Sequence, residues 1–137
     1  MNMFTRYIKK IPYQTTAKTV LIICSCVAVF HILIMLKIIS YNIVRWWRLT
    51  NDAEMYRFES ISLFLNLLIV LLVVMKWWYM RYILPHKVVN IAMWILVRFL
   101  GANTIANIFS ESLFEAIFFT ILVGILAMCI LRIQLEE

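Results

Sequence analysis

The stretch SISLFLNLLIVLLVVMKWWYM, residues 60–80, decides the fold. Lys76 is its one charged residue, and leucine, isoleucine and valine fill its centre. A helix needs about 20 mainly apolar residues to cross the hydrocarbon core of a bilayer. The stretch therefore predicts a transmembrane helix.

Three further apolar runs have a similar length. They lie at about Thr19 to Ile39, Val88 to Phe109 and Phe114 to Gln134. Pro85 prevents the second helix from continuing into the third, and only a tight turn separates the third helix from the fourth. Short connections make neighbouring helices antiparallel. The sequence therefore predicts an all-α fold, a four-transmembrane-helix up-down-up-down bundle with spans 19–39, 60–80, 88–109 and 114–134.

The overall composition agrees with a membrane location. Hydrophobic residues make up 65% of the 137-residue chain and charged residues 15%. Soluble domains average about 45–50% apolar and about 25% charged residues. Cys24, Cys26 and Cys129 all lie inside apolar runs, which argues against a disulfide framework. The expected partner is the lipid bilayer, with a homo-oligomer or another membrane protein as the alternatives, and no nucleic acid.

The basic residues are divided unevenly between the two sides of the predicted bundle. Eight lie on the side that carries the termini: Arg6, Lys9, Lys10, Lys18, Lys76, Arg81, Lys87 and Arg132. Four lie on the other side: Lys37, Arg45, Arg48 and Arg57. Because cytoplasmic loops carry the excess of Lys and Arg, we expect both termini in the cytoplasm and the protein in a cell membrane.

Two segments outside the spans have patterns of their own. Residues 1–18, which precede the membrane domain 19–137, alternate basic and apolar residues. They form either an amphipathic segment on the inner leaflet, ended by Pro12, or a tail whose charges only set topology. Further along, Asn51 followed by Glu54 is typical of a helix start, so the second helix is expected to begin near Asp52, outside the membrane.

Polar residues recur inside the predicted spans and define a polar seam in the outer half of the bundle. Its members are His31, Glu59, Ser62, Asn66, Asn103, Asn107 and Glu111. Spacings of three and four place the seam residues of each helix on one face. The seam is either packing, by hydrogen bonds between helices, or a ligand or proton site. No catalytic set, cofactor site or metal-ligand set is indicated.

Arg98 is an ionisable residue near the middle of the third span. A charge at that depth costs several kcal/mol or more. At about 100° per residue, Arg98 lies roughly 140–180° around the helix from Asn103 and Asn107. Arg98 therefore either meets a partner on another helix or extends its side chain towards the membrane surface. The third possibility is that the span is shifted, so that Arg98 lies at a shallower depth. The partners considered are His31, Asn66 or a carboxylate of a second copy.

Short motifs from about Ile43 onward resemble a family of small bacterial four-helix integral membrane proteins of unknown function. The motifs are Arg48-Leu49, Glu54-Met55-Tyr56, Phe58-Glu59, Asn103-Thr104-Ile105 with Asn107, and Phe114-Glu115. The family has glycines before the Arg-Leu pair and before the second Asn, where this chain has Trp46-Trp47 and Ala106. The resemblance implies a fold and the bacterial inner membrane, and it implies no activity.

Three functional hypotheses follow from these observations. The first is a non-catalytic interaction or accessory protein whose seam specifies packing. The second is a small carrier or channel-like protein that uses the seam and Arg98 as a path. The third is a membrane-embedded enzyme on a lipid-like substrate, with Glu59 or His31 as acid or base. The third is the weakest, because no nucleophile–base pair or metal-ligand set is visible in the sequence, and we favour the first.

Overall fold

The computed structural model describes residues 2–40, 51–77, 85–109 and 113–136. All of the regular elements in these ranges are helices, in the order α1 Met3–Lys9, α2 Tyr13–Met35, α3 Asp52–Trp77 and α4 His86–Ile108. A π-helical turn, Glu115–Phe119, then leads into α5, Thr120–Gln134. The helices α2, α3, α4 and the unit 116–134 are long and apolar enough to cross a membrane. The predicted four-helix membrane fold is confirmed.

α2, α3 and α4 begin before the apolar runs that predicted them, and α2 ends at Met35, four residues before the predicted end of its span at Ile39. α2 begins at Tyr13 instead of Thr19, because Pro12 fixes the start and its carbonyl oxygen accepts from both the backbone N–H and the hydroxyl of Thr16. α3 begins at Asp52, as predicted, and Asn51 Oδ1 accepts from the backbone N–H of Glu54 at 2.9 Å. The predicted end of this helix and the turn before α5 fall at 78–84 and 110–112, outside the described residues.

The end of α2 is held by a left-handed residue. Lys37 has φ 59°, its backbone N–H donates to Ile34 O, and the N–H of Ile38 donates to Leu33 O. These two bonds are those of a Schellman motif, in which glycine is the usual residue. The chain therefore turns sharply just beyond the membrane-spanning part of α2.

Helix packing is unequal around the bundle. α2 packs along α3 and α5, and α4 packs along α5, whereas α3 and α4 touch over a much shorter length. Gly124 on α5 faces Thr104 of α4, and a Cβ there would make only an ordinary van der Waals contact with Thr104 Cγ2, at 3.6 Å. The weak pair α3–α4 leaves a gap in the side of the bundle.

The packed core is split into two layers. Below we call the end of the bundle that carries residues 2 and 136 the termini end, and the other the far end. A large apolar cluster that includes Val20, Val73, Met93 and Ile130 fills the termini half. A smaller cluster of Ile34, Met55 and Phe119 closes the far end. The space between the two clusters is where the polar seam lies.

Candidate ligand cavity

A cavity of about 420 Å³ lies between the two apolar clusters, in the half of the bundle near the far end. All four long helices line it, and its walls are mostly apolar. Ile61 on α3 and Phe99 on α4 line the cavity and are 55% and 48% exposed. The cavity therefore opens sideways, through the gap between α3 and α4, towards the bilayer. Its volume lies within the usual range of about 300–1,000 Å³ for ligand pockets.

Five of the seven predicted seam residues line this one cavity: His31, Ser62, Asn66, Asn103 and Asn107. Glu59 is completely buried behind them and contacts His31. Glu111 lies outside the described residues. The structure thus brings together side chains from three helices that the sequence only placed at similar depth.

His31 and Glu59 form a buried pair that joins α2 to α3. His31 Nδ1 is hydrogen-bonded to Glu59 Oε2, and the two residues are 6% and 0% exposed. Since Nδ1 is occupied, Nε2 is the nitrogen left for a ligand in the cavity. A ring nitrogen of imidazole donates or accepts a hydrogen bond according to the tautomer. The pair is therefore a helix–helix contact that also presents a hydrogen-bonding nitrogen to the cavity.

The amides have different roles. Asn66 is buried and donates from Nδ2 to the carbonyl oxygen of Cys24 at 2.7 Å, which links α3 to α2 and leaves Oδ1 for the cavity. Asn107 is 8% exposed and Asn103 more so. Within the four described ranges neither of these two amides, nor the Ser62 hydroxyl, has a hydrogen-bond partner. Asn66 is therefore partly packing, whereas the other three offer free donors and acceptors.

Aromatic side chains lie at the end of the cavity nearest the far end of the bundle. The π-helical turn places Phe119 towards the interior, where it is 5% exposed and lies 5.9 Å from Phe30, centroid to centroid. Phe30 in turn meets the ring of His31 edge-on at 6.1 Å. A π-helical turn widens one turn of a helix and occurs frequently at functional sites. Here the π-helical turn places Phe119 in the wall of the cavity.

Arg98 does not belong to the cavity. Its side chain is exposed on the far side of α4, as the 100° spacing predicted, and it does not line the cavity. No hydrogen bond joins Arg98 to His31, which contacts Glu59, or to Asn66, which contacts Cys24, so the structure does not support either of these two candidate partners. Among the described residues no hydrogen bond or ion pair reaches Arg98. The seam and Arg98 are therefore separate features.

A second polar network, not predicted from the sequence, lies near the termini end. Lys76 Nζ donates to Asn90 Oδ1 at 3.1 Å and to Gln134 Oε1 at 2.7 Å, which joins α3, α4 and α5. The buried Arg132 donates from Nε to the carbonyl oxygen of Ile11 at 2.7 Å. The sequence signal was present, since these polar groups all lie within about a turn or two of the same end of their spans. From the sequence alone, the charges of Lys76 and Arg132 indicate only the topology of the chain in the membrane.

Comparison of the chain with protein-family models, with curated proteins and with solved structures finds no match. The chemistry of the cavity is thus the basis for a function. Among the described residues, no three His, Cys, Asp or Glu side chains come together as metal ligands. The cavity offers an apolar enclosure, one imidazole, three amides and a hydroxyl. That arrangement suits the binding of an amphiphile by hydrogen bonds.

Proposed function

We propose that this integral membrane protein is a non-catalytic accessory protein that binds a lipid-like molecule with an uncharged, hydrogen-bonding head group. The single observation that carries the proposal is the cavity, where polar side chains converge inside mostly apolar walls that open to the bilayer. An apolar pocket with a few convergent polar groups is the usual form of a small-molecule site. The ligand enters between α3 and α4 without leaving the membrane.

The charge of the cavity selects the head group. None of the described residues that line it is Lys or Arg, while the buried carboxylate of Glu59 lies just behind His31. A phosphate would find no Lys or Arg among these described lining residues to balance its charge, in a medium where an unpaired charge is costly. Carbonyl and hydroxyl oxygens instead match Nε2 of His31 and the Asn amides. Quinones and diacylglycerol-type alcohols both provide such oxygens.

The packing argues for a binding pocket over a channel. The apolar cluster around Val73 and Met93 separates the cavity from the Lys76 network at the termini end. Arg98, which the carrier hypothesis placed on the same path, lies on the other face of α4. The seam therefore supports binding from one side, and a carrier would require the apolar cluster to open.

The orientation completes the proposal. On the count of basic residues we place both termini on the cytoplasmic side, so that the cavity opens to the outer leaflet. The bacterial inner membrane is the location that the family resemblance implies. Reporter fusions after residue 137, one active only in the cytoplasm and one active only outside it, test the orientation. Activity of the external reporter would mean that the termini lie outside the cytoplasm and that the cavity opens to the inner leaflet. The proposed binding chemistry of the cavity would not change.

The binding experiment uses the full chain in lipid nanodiscs and a dioleoylglycerol that carries a photoreactive diazirine in one acyl chain. Labelling is expected on peptides of α3 and α4. Unlabelled dioleoylglycerol and decylubiquinone are added as separate competitors, to distinguish an alcohol from a quinone. Dioleoylphosphatidylglycerol is expected not to compete. Stronger competition by the phospholipid than by both uncharged competitors would refute the proposed head-group class.

A matched pair of serines provides the control for site specificity. Ser62 lines the cavity, whereas Ser60 is exposed on the same helix and does not. Ser62→Ala should reduce the labelling yield several-fold, and Ser60→Ala should leave it unchanged. Equal labelling of both variants would place the probe outside the cavity.

A further inference from the structure

Arg98 occupies the middle of a helix that crosses the membrane. It is 12 residues from His86 and 10 from Ile108, the two ends of α4. At 1.5 Å per residue these separations are roughly 18 Å and 15 Å. An arginine side chain that snorkels shortens such a distance but does not cover it. The guanidinium therefore stays within the hydrocarbon depth of the bundle.

The surface around Arg98 is otherwise apolar and faces away from the bundle. We call it the Arg98 face; its other members are Ile91, Trp94, Ile95, Ala102 and Ile105. The isoleucines are 54–62% exposed and Trp94 is 42% exposed. Gly101 adjoins this face, and a Cβ placed there would meet nothing within 4 Å. A helix from outside can therefore approach α4 closely beside Arg98.

An arginine on such a face requires a compensating group. Charged side chains in transmembrane segments almost always pair with one another or face a bundle interior. Within the described residues Arg98 has neither arrangement. A carboxylate is the matching group, because the planar guanidinium donates two parallel hydrogen bonds to its oxygens.

The described carboxylates of a second copy do not fit. Asp52 and Glu54 lie in the first turn of α3 and Glu115 begins the π-helical turn, all at the far end, and Glu136 follows the end of α5. Glu59 is completely buried against His31. From this charge complementarity we infer that the Arg98 face docks a transmembrane helix of another protein that carries an Asp or Glu near mid-membrane. The docking is independent of the cavity ligand.

The test uses a model helix in place of the unidentified partner. The full chain is reconstituted in liposomes with a single-span leucine-rich peptide that has one central Asp, and association is measured by energy transfer between fluorophores. A peptide with Leu at that position is the control. An interhelical polar contact of this kind supports roughly tenfold tighter association. Arg98→Leu should abolish the preference for the Asp peptide, and Arg98→Lys should keep part of it.

Moving the arginine to another face shows whether association depends on the Arg98 face itself or only on the presence of a positive charge in the membrane. Ile121 is 59% exposed on α5, so the double variant Arg98→Leu/Ile121→Arg carries its arginine on a different face. It should not regain the wild-type preference. Full recovery in the double variant would overturn the inference, as would unchanged association of Arg98→Leu. An Arg98-dependent homodimer that excludes the Asp peptide would also overturn it, because the occupant would then be a second copy.

Discussion

His31 on α2 and Glu59 on α3 are hydrogen-bonded to each other at the edge of the cavity, and Glu59 is the one described carboxylate that is completely buried. The imidazole gives this buried carboxyl a hydrogen-bond partner on the neighbouring helix. The same contact fixes the orientation of the imidazole ring, so that Nε2 is left for the cavity. One pair therefore links the helix packing to the proposed binding chemistry.

The His31–Glu59 pair predicts a strongly non-additive double-mutant cycle. His31→Leu removes the hydrogen bond between the imidazole and the buried Glu59 carboxyl, and breaking a buried pair in this way costs about 3–5 kcal/mol. Replacing both residues by Leu removes the buried carboxyl as well as the contact. The double variant should therefore unfold at a higher temperature than His31→Leu alone, as followed by tryptophan fluorescence in detergent. Additive losses in the double variant would mean that the two residues stabilise the bundle separately.

Two of the three cavity amides, Asn66 and Asn103, predict different effects on stability and similar effects on binding. Asn66→Leu removes the bond to the Cys24 carbonyl and should cost about 0.6 kcal/mol, the average for such contacts in membranes. Asn103→Leu removes an exposed amide that has no described partner and should leave the thermal midpoint unchanged or raise it. Both should reduce labelling by the diazirine probe. Loss of folding in Asn103→Leu would show that this amide is a packing group.

Much of the fold followed from local properties of the chain. The length of an apolar run determines that a helix crosses the bilayer, and Asn51 marks the start of α3 because its side chain caps the helix. The position of Arg98 away from Asn103 also followed from the helical repeat alone. These features need no knowledge of the neighbouring helices.

The pairings between helices could not be predicted in the same way. His31 and Glu59 are 28 residues apart, and their contact depends on how α2 and α3 are rotated about their axes. Because the chain contains few glycines, the rotation of each helix depends on the packing of many bulky side chains. No single one of them determines it. The Lys76 network could not be predicted for a related reason. Its acceptors on α4 and α5 are close to Lys76 only in the packed bundle.

The left-handed conformation of Lys37 at the end of α2 predicts that glycine at this position gives a more stable protein than alanine. This is the reverse of their usual order in a helix. Lys37 has φ 59°, a conformation that costs an L-residue roughly 1–2 kcal/mol. Lys37→Gly and Lys37→Ala both lose the ion pair with Asp52, so their difference isolates the backbone. The glycine variant should be more stable by about 1 kcal/mol. At Leu36, whose φ is −80°, alanine should instead be the more stable; the same order at both positions would contradict the Schellman assignment.

The network at the termini end predicts that a buried glutamine stabilises the bundle. Gln134 is 3% exposed and its Oε1 accepts from Lys76 Nζ at 2.7 Å. Gln134→Leu deprives the ammonium group of an acceptor and should cost about 1–3 kcal/mol. Gln134→Glu keeps an acceptor and adds an opposite charge, so its thermal midpoint should exceed that of the leucine variant. Gln14, exposed on α2, is the matched control, and Gln14→Leu should change stability by less than about 0.5 kcal/mol. Equal effects of leucine at both positions would show that Lys76 reaches water without Gln134.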